Sequence, residues 1–278
     1  MLLLLAAALL AGWASPALAH AGGLVATDAR SRVVSVSPPI PGLSVSTIED
    51  GAKLRLVNGT PTPVTGPVTV APGHTVMWAD PSASPVGKKI GAGESRPWSL
   101  VLEVSGTAVT VDGVFEGAEP PVPVVWWGST LALVVAIPVV CRRSRRGDLL
   151  LGGAGLIAMA ASIGHVTGST MEVVSAPAVG TFVNAAGVNL LAWPLILGGV
   201  VAAYRGRPAG LLAVCAGAAL TAVFVLPDVT SFHRAVLPFA GPDVIERVLV
   251  VLALGCGVGA AVGGGAVLRR LAAQEAYG

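Results

Sequence analysis

Histidines are the residues of this sequence whose type and position could support chemistry. The chain has four, His20, His74, His165 and His233, and imidazole is the commonest metal ligand in proteins. If an export signal is cleaved after Ala19, His20 becomes an amino terminus that chelates through its free amine and ring Nδ1. Nitrogen ligands in a tetragonal plane suit Cu(II). His74 is then the candidate second copper ligand, and His165 and His233 are more remote metal ligands on the same outer side.

A structural interpretation of the same histidines stays open. An Ala-x-Ala signal can precede His20 by coincidence, and His74 lies in the turn-like run Pro72-Gly73-His74-Thr75. His165 and His233 are then residues of the membrane interface. All three cysteines lie in or beside apolar runs, at Cys141, Cys215 and Cys256. The preceding region therefore has no ligand for a thiolate zinc or blue-copper site and no disulfide.

The composition is that of a membrane protein. Hydrophobic residues make up 54% of the 278 residues and charged residues 12%, against about 25% charged residues in soluble domains. The net charge of +2 is too small and scattered for nucleic-acid binding. No Ser-His-Asp set, carboxylate pair, H-E-x-x-H motif or phosphate loop is recognisable, so we expect no enzyme activity.

The chain divides into an export signal, a β-rich region and an apolar C-terminal part. Residues 1–19 are apolar and end in Ala17-x-Ala19, which predicts a signal peptide, with an uncleaved anchor helix as the alternative. In residues 20–119, period-two alternation is interrupted every 8–12 residues by turn dipeptides such as Asp50-Gly51 and Asn58-Gly59. This pattern predicts an antiparallel, immunoglobulin-like β-sandwich.

The remaining residues predict an all-α bundle of five transmembrane helices. A Pro-rich linker at 120–123 leads into the membrane domain 124–270, and residues 271–278 form a cytoplasmic tail. The five apolar segments lie at about 124–141, 149–167, 180–203, 209–227 and 244–268. Each is near the length of about 20 residues that crosses a bilayer.

Basic residues predict the orientation of these segments. Eight arginines follow the first, third and fifth segments: Arg142, Arg143, Arg145, Arg146, Arg205, Arg207, Arg269 and Arg270. Only Arg234 and Arg247 lie at the other ends. The positive-inside rule then places the β-sandwich outside and the C-terminus inside the plasma membrane.

Two further features bear on function. Gly255, Gly259 and Gly263 recur at four-residue spacing and predict close helix packing, either within the bundle or in a homodimer. Polar residues concentrate at the outer ends of the segments, and nothing charged is predicted at mid-membrane. This distribution argues against a proton relay or an ion pump.

Two resemblances extend this interpretation. The segments 36–42 and 49–58 read Val-x-Pro-Pro-x-Pro-Gly and Glu-x-Gly-x-x-Leu-x-Leu-x-Asn. With the signal and the C-terminal spans, they resemble actinobacterial membrane proteins of uncharacterised function, which implies a fold and a location. The arrangement is also similar to CopC-type copper-resistance proteins. That likeness implies Cu(II) binding at His20 and at a later histidine, but Thr107 occupies the later position here.

The sequence therefore predicts an integral membrane protein that presents an extracytoplasmic β-sandwich as an interaction or docking module. The expected partners are the bilayer, an extracytoplasmic protein and, as an option, a second copy of the chain. Copper binding or copper delivery through His20 and His74 is the alternative function, and a low-affinity transporter is a more remote one.

Overall fold

The computed structural model describes the backbone of residues 21–277 and the side chains of residues 21–265. The predicted signal peptide, its cleavage site and His20 lie outside the described residues. Two regions follow one another along the chain, a β-sheet region and a set of long apolar helices. Short 3-10 turns at Ala21–Gly23 and Glu49–Gly51 precede and interrupt the strands.

The predicted N-terminal β-sheet region is confirmed as two antiparallel sheets. Its strands are β1 (Ala29–Ser37), β2 (Leu43–Ile48), β3 (Lys53–Asn58), β4 (Val64–Thr65), β5 (Thr75–Trp78), β6 (Ser95–Val104) and β7 (Thr107–Gly117). One sheet has the order β1-β7-β6-β4 and the other β2-β3-β5. Six of these strands coincide with alternating runs of the sequence at 32–37, 43–48, 53–57, 75–78, 98–104 and 107–115, and only the two-residue β4 was not predicted.

The alternation of apolar residues places one face of each sheet in a shared hydrophobic core. On β3, Leu54 and Leu56 are buried, and on β6 the buried residues are every second one from Trp98. Trp98 is paired in register with Gly113 of β7. A Cβ at Gly113 would lie 2.1 Å from the indole, so the glycine provides the space that the tryptophan ring occupies.

A loop that follows β5 covers one side of this core through polar contacts. The Asp80 carboxylate accepts hydrogen bonds from the backbone N–H of Ser82 at 2.9 Å and from the Ser82 hydroxyl. Burial alone would raise the pKa of Asp80, but these hydrogen bonds hold it below its ordinary value. The Lys88 ammonium donates to the Ser84 carbonyl at 2.6 Å and lies 4.7 Å from the centre of the Phe115 ring. The loop is therefore tied to the core.

The helices are α1 (Pro123–Arg143), α2 (Gly147–Glu172), α3 (Ala178–Ala186), α4 (Asn189–Tyr204), α5 (Ala209–Val225) and α6 (Asp243–Tyr277). A 3-10 helix, Leu226–Phe232, continues α5. Four helices of the described residues are long and apolar enough to cross a membrane, or five if the bent pair α3 and α4 counts as one span.

The third predicted segment differs from expectation. A single helix over 180–203 was expected, whereas α3 and α4 are separate helices that meet at an angle of 67°. The break lies at Gly187, whose φ of +46° is in the left-handed region that favours glycine. A Cβ there would lie 2.9 Å from the Phe224 ring. The absence of a side chain at Gly187 therefore allows the chain to pack closely against α5. The prediction of one continuous helix was wrong because a single glycine in an apolar run gives a weak signal.

The glycines of α6 lie against neighbouring helices of the same chain. A Cβ at Gly255 would lie 2.9 Å from Leu133 of α1, and one at Gly259 would lie 2.9 Å from Ile137. At Gly263 the nearest atom is on Leu151 of α2. In the described residues α6 also packs against α5, so it is the central helix of the bundle.

Candidate functional site: a buried polar cluster and the domain interface

A cluster of ionisable side chains is buried within the bundle, near the end that faces the β-sheet region. It contains His165 of α2, Asp228 of the 3-10 helix, and Glu246 and Arg247 in the first turns of α6, all of them buried. We call this group the polar cluster. Ionisable groups between apolar helices are costly to bury, so their presence indicates a role that compensates for the cost.

The imidazole of His165 lies between two carboxylates. Its Nδ1 is 2.6 Å from Glu246 Oε1, and its Nε2 is 3.1 Å from Asp228 Oδ2. A neutral imidazole has one N–H, so both contacts are hydrogen bonds only when a second proton is present in the group. The arrangement therefore holds a proton on the imidazole, or on one of the two carboxyl groups, and joins three helical elements.

Arg247 completes the charge balance of the cluster. Its guanidinium donates to the backbone carbonyls of Ser231 at 2.9 Å and of Arg234 at 2.9 Å. An imidazolium at His165 together with Arg247 offsets the two carboxylates. Because these bonds go to the backbone of the segment 231–235, Arg247 also fixes the path of the chain between the 3-10 helix and α6.

The structure does not bring the predicted histidine ligands together in the described residues. His74 is exposed on the β-sheet region, where its Nδ1 lies 2.9 Å from the carbonyl oxygen of Pro72 in its own turn. His233 is exposed and accepts a hydrogen bond from Trp127 Nε1 at 3.2 Å. His165 has the two carboxylate partners described above. In the part of the chain that is described, no group of three or more His, Cys, Asp or Glu side chains is arranged to hold a metal ion.

Copper binding therefore stays a prediction. It depends on His20, which lies outside the described residues, and His74 is the one candidate ligand of the β-sheet region whose position is described. The His74 ring contacts the Pro72 carbonyl oxygen of its own turn.

The β-sheet region packs directly on the polar-cluster end of the bundle, through what we call the domain interface. Thr27 and Val236 form an isolated antiparallel bridge in which each backbone N–H donates to the other carbonyl at 2.9 Å. Arg234 forms an ion pair with Asp28. Ala21, Leu24 and Val173 form a small buried apolar cluster beside this bridge. The segment that follows Asp228 of the polar cluster therefore binds the β-sheet region through Arg234 and Val236.

Glu49 forms a second attachment at the domain interface. Its buried carboxylate accepts hydrogen bonds from the backbone N–H groups of Val174 and Ser175 at 3.1 and 2.9 Å. Lys53 pairs with the other oxygen at 3.0 Å and donates to the Ser175 hydroxyl at 2.7 Å. The backbone of Glu49 has a φ of +55°, an unfavourable conformation for a non-glycine residue that surrounding contacts must maintain.

On the β-sheet region, two strand edges face a common groove. β1 is at the edge of one sheet and β2 at the edge of the other, and a groove of about 420 Å³ lies between the segments 32–36 and 45–47. We call it the β1/β2 groove. A bulge interrupts the pairing of β1 with β7 between Val33 and Ser35, and Val34 is 59% exposed there.

No known protein family, curated protein or solved structure matches the chain. The site is therefore defined by its own geometry. The concentration of polar residues at the outer ends of the apolar segments, which includes His165, Asp228 and Glu246, does not predict that these three pair. The sequence does place these residues at the ends of neighbouring apolar segments, since Asp228 and Glu246 flank one loop and His165 lies near the end of another segment. It does not show which of the side chains meet, because the residues are far apart along the chain.

Proposed function

We propose that this chain is an integral membrane protein that presents an extracytoplasmic β-sandwich as an interaction module. We further propose that the β1/β2 groove binds an extended segment of a partner protein. The observation that carries this proposal is the pair of strand edges that face the groove, because an unpaired edge offers a row of backbone donors and acceptors to an added strand.

Membrane insertion is supported by the length and surface of the helices. Four or five helical segments are long and apolar enough to cross a bilayer. Large apolar side chains face outward along them, for example Leu131 and Val135 on α1 and Leu197 on α4. In water such a surface would be an aggregation hazard, whereas in lipid it is the expected one.

The orientation is supported by the two ends of the bundle. The arginines that follow α1 and α4 are exposed at one end, and the β-sheet region contacts the loops of the other. The positive-inside rule then gives a cytoplasmic arginine end and an extracytoplasmic β-sandwich.

The free edges favour a protein segment as the partner. In the described residues β1 pairs with β7 and β2 pairs with β3, and no backbone hydrogen bond joins β1 to β2. Main-chain hydrogen bonds give strand addition its affinity, and alternate side chains of the added strand enter pockets. The domain interface holds the β-sandwich in one pose on the bundle, which presents this edge in a constant direction.

Photo-crosslinking tests the partner site. A photoreactive amino acid at Val34 should crosslink a single partner through one extended segment in intact membranes. The same substitution at Val101 of β6 is the matched control, because Val34 and Val101 are 59% and 57% exposed. Equal crosslinking from both positions would contradict strand addition at the groove.

Cysteine labelling tests the orientation separately. All three native cysteines lie in helices, so Ser99→Cys, on an exposed position of β6 outside the β1/β2 groove, introduces the one thiol of the described β-sheet region. A membrane-impermeant maleimide should label this cysteine on intact cells. Labelling that requires permeabilised cells would place the region in the cytoplasm and overturn the proposed orientation.

A further inference from the structure

A second groove lies between α1 and α2, away from the polar cluster. Its volume is about 350 Å³, and apolar side chains, glycine and two cysteines line it. The lining residues run along α1 from Leu133 to Cys141 and along α2 from Leu149 to Ile157. At 1.5 Å rise per residue this is a furrow on the order of 10 Å long. We call it the α1/α2 groove.

Four arginines flank the end of this groove. Arg142 and Arg143 directly follow the lining residues of α1, and Arg145 and Arg146 precede those of α2. All four are exposed, and none forms an ion pair among the described residues. Asp148 offsets one of the four charges. An apolar furrow thus ends in a dense group of exposed guanidinium groups.

We propose that the α1/α2 groove and its four arginines form a binding site for an anionic phospholipid, a site that rests on the proposed membrane insertion. One acyl chain lies in the furrow and the phosphate-bearing headgroup meets the arginines.

The two halves of the site select different parts of the lipid. An apolar furrow facing a bilayer is filled by a hydrocarbon chain, since an empty one would lose dispersion contacts along both walls. The contact between the furrow and an acyl chain does not discriminate among lipids with the same acyl chains. The guanidinium groups do, because their planar N–H pairs match phosphate oxygens and their charge favours a lipid with net negative charge.

The four arginines have a role in lipid binding in addition to their role in setting the orientation of the helices. Two arginines, Arg205 and Arg207, also follow α4 at the same end of the bundle. A topological role requires positive charge near the ends of the spans in general. The group at 142–146 adds two features, a higher local density of charge and direct continuity with an apolar furrow. A comparison of the two loops therefore separates lipid binding from orientation.

Native mass spectrometry of the full chain in detergent tests the proposal with defined lipids. Phosphatidylglycerol and phosphatidylcholine with identical acyl chains are titrated in parallel. We expect phosphatidylglycerol to bind on the order of 10-fold more tightly. Replacement of the four arginines by glutamine should weaken phosphatidylglycerol binding more than phosphatidylcholine binding and so remove this preference, whereas Arg205→Gln with Arg207→Gln should retain it.

A second pair of variants tests the furrow. Gly153 lines the groove, and a Cβ there meets nothing within 4 Å. Gly153→Phe should therefore fill the furrow without disturbing the helices and release the bound lipid. Gly198 of α4 is equally open, and Gly198→Phe serves as the matched control.

Three results would overturn the site: equal affinity of the native chain for both lipids, a preference retained by the four-arginine variant, or lipid binding unaffected by Gly153→Phe. A chain that stays soluble without detergent and binds neither lipid would instead overturn the proposed membrane insertion, and the site with it.

Discussion

At the scale of single residues, His165 joins three helical elements through one side chain. Its two ring nitrogens contact Glu246 of α6 and Asp228 of the 3-10 helix, and all three groups are buried. Breaking one partner of a buried charged group is costly because the other charge is left without compensation. A glutamine amide cannot replace the imidazole, because it has no donor nitrogen on each side to meet both acidic groups.

His165→Gln should therefore lower the stability of the detergent-solubilised chain by about 3–5 kcal/mol. Thermal unfolding followed by tryptophan fluorescence measures the loss. His233→Gln is the control, because His233 is exposed and has a single hydrogen bond from Trp127. An equal, small effect of both substitutions would show that the polar cluster does not hold the helices together.

Asp80 provides a pH-dependent prediction outside the helical part. Hydrogen bonds from Ser82 lower the pKa of Asp80 below its ordinary value, despite its burial. A carboxyl group with a depressed folded-state pKa stabilises the fold above its unfolded pKa of about 3.9, and this contribution is lost as the pH falls through the folded pKa.

The stability difference between the native chain and Asp80→Asn should thus be constant above about pH 5 and decrease below about pH 4. Denaturant unfolding at a series of pH values measures it. Ser82→Ala, which removes the hydroxyl donor to Asp80, should reduce this decrease. A difference that grows toward low pH would contradict the assigned hydrogen bonds.

At the scale of elements, the strands were predictable and the breaks were not. Alternation of apolar residues predicts which face of β6 and β7 lies in the core, since every second residue along the alternating part of each strand is buried. β4 has only two residues, which is too short for a period to appear. The break between α3 and α4 lies at Gly187, which has a positive φ and leaves no room for a Cβ beside the Phe224 ring. That contact comes from a different helix, so the local sequence does not contain it.

The pair Trp98 and Gly113 gives a prediction at this scale. A Cβ at Gly113 would overlap the indole ring of Trp98, and overpacking of a filled core typically costs about 1–3 kcal/mol. Gly113→Ala should therefore destabilise the β-sheet region by this amount, measured by unfolding of the full chain.

A smaller partner side chain should reverse part of that loss. In a double-mutant cycle, Gly113→Ala combined with Trp98→Leu should be less destabilising than the sum of the two single substitutions. Strict additivity would mean that the alanine acts through its contact with the Arg32 carbonyl oxygen, 2.6 Å from the Cβ position, and not through contact with the ring.

At the scale of the whole molecule, the domain interface makes the β-sheet region and the bundle one unit. Asp228 of the 3-10 helix and Glu246 of α6, which both contact His165, lie at the two ends of the chain segment 228–246. Its middle carries Arg234 and Val236, which hold the β-sheet region. The short proline-rich linker at 120–123 favours packing of the β-sheet region on the bundle, but it does not specify that Thr27 pairs with Val236.

The pairing of Thr27 with Val236 allows a direct test of this arrangement. Each donates its N–H to the carbonyl of the other, and the Cα atoms of such an antiparallel pair lie about 5.5 Å apart, within the range of a disulfide. In a chain with the native cysteines replaced by serine, Thr27→Cys with Val236→Cys should oxidise to a disulfide without loss of the fold, seen as a shift in non-reducing electrophoresis.

Ser99→Cys with Val236→Cys is the control, since Ser99 is exposed on β6, away from the interface. If the Thr27–Val236 pair oxidised no faster than the control pair, the β-sheet region would move freely about its linker. The β1/β2 groove would then have no constant direction.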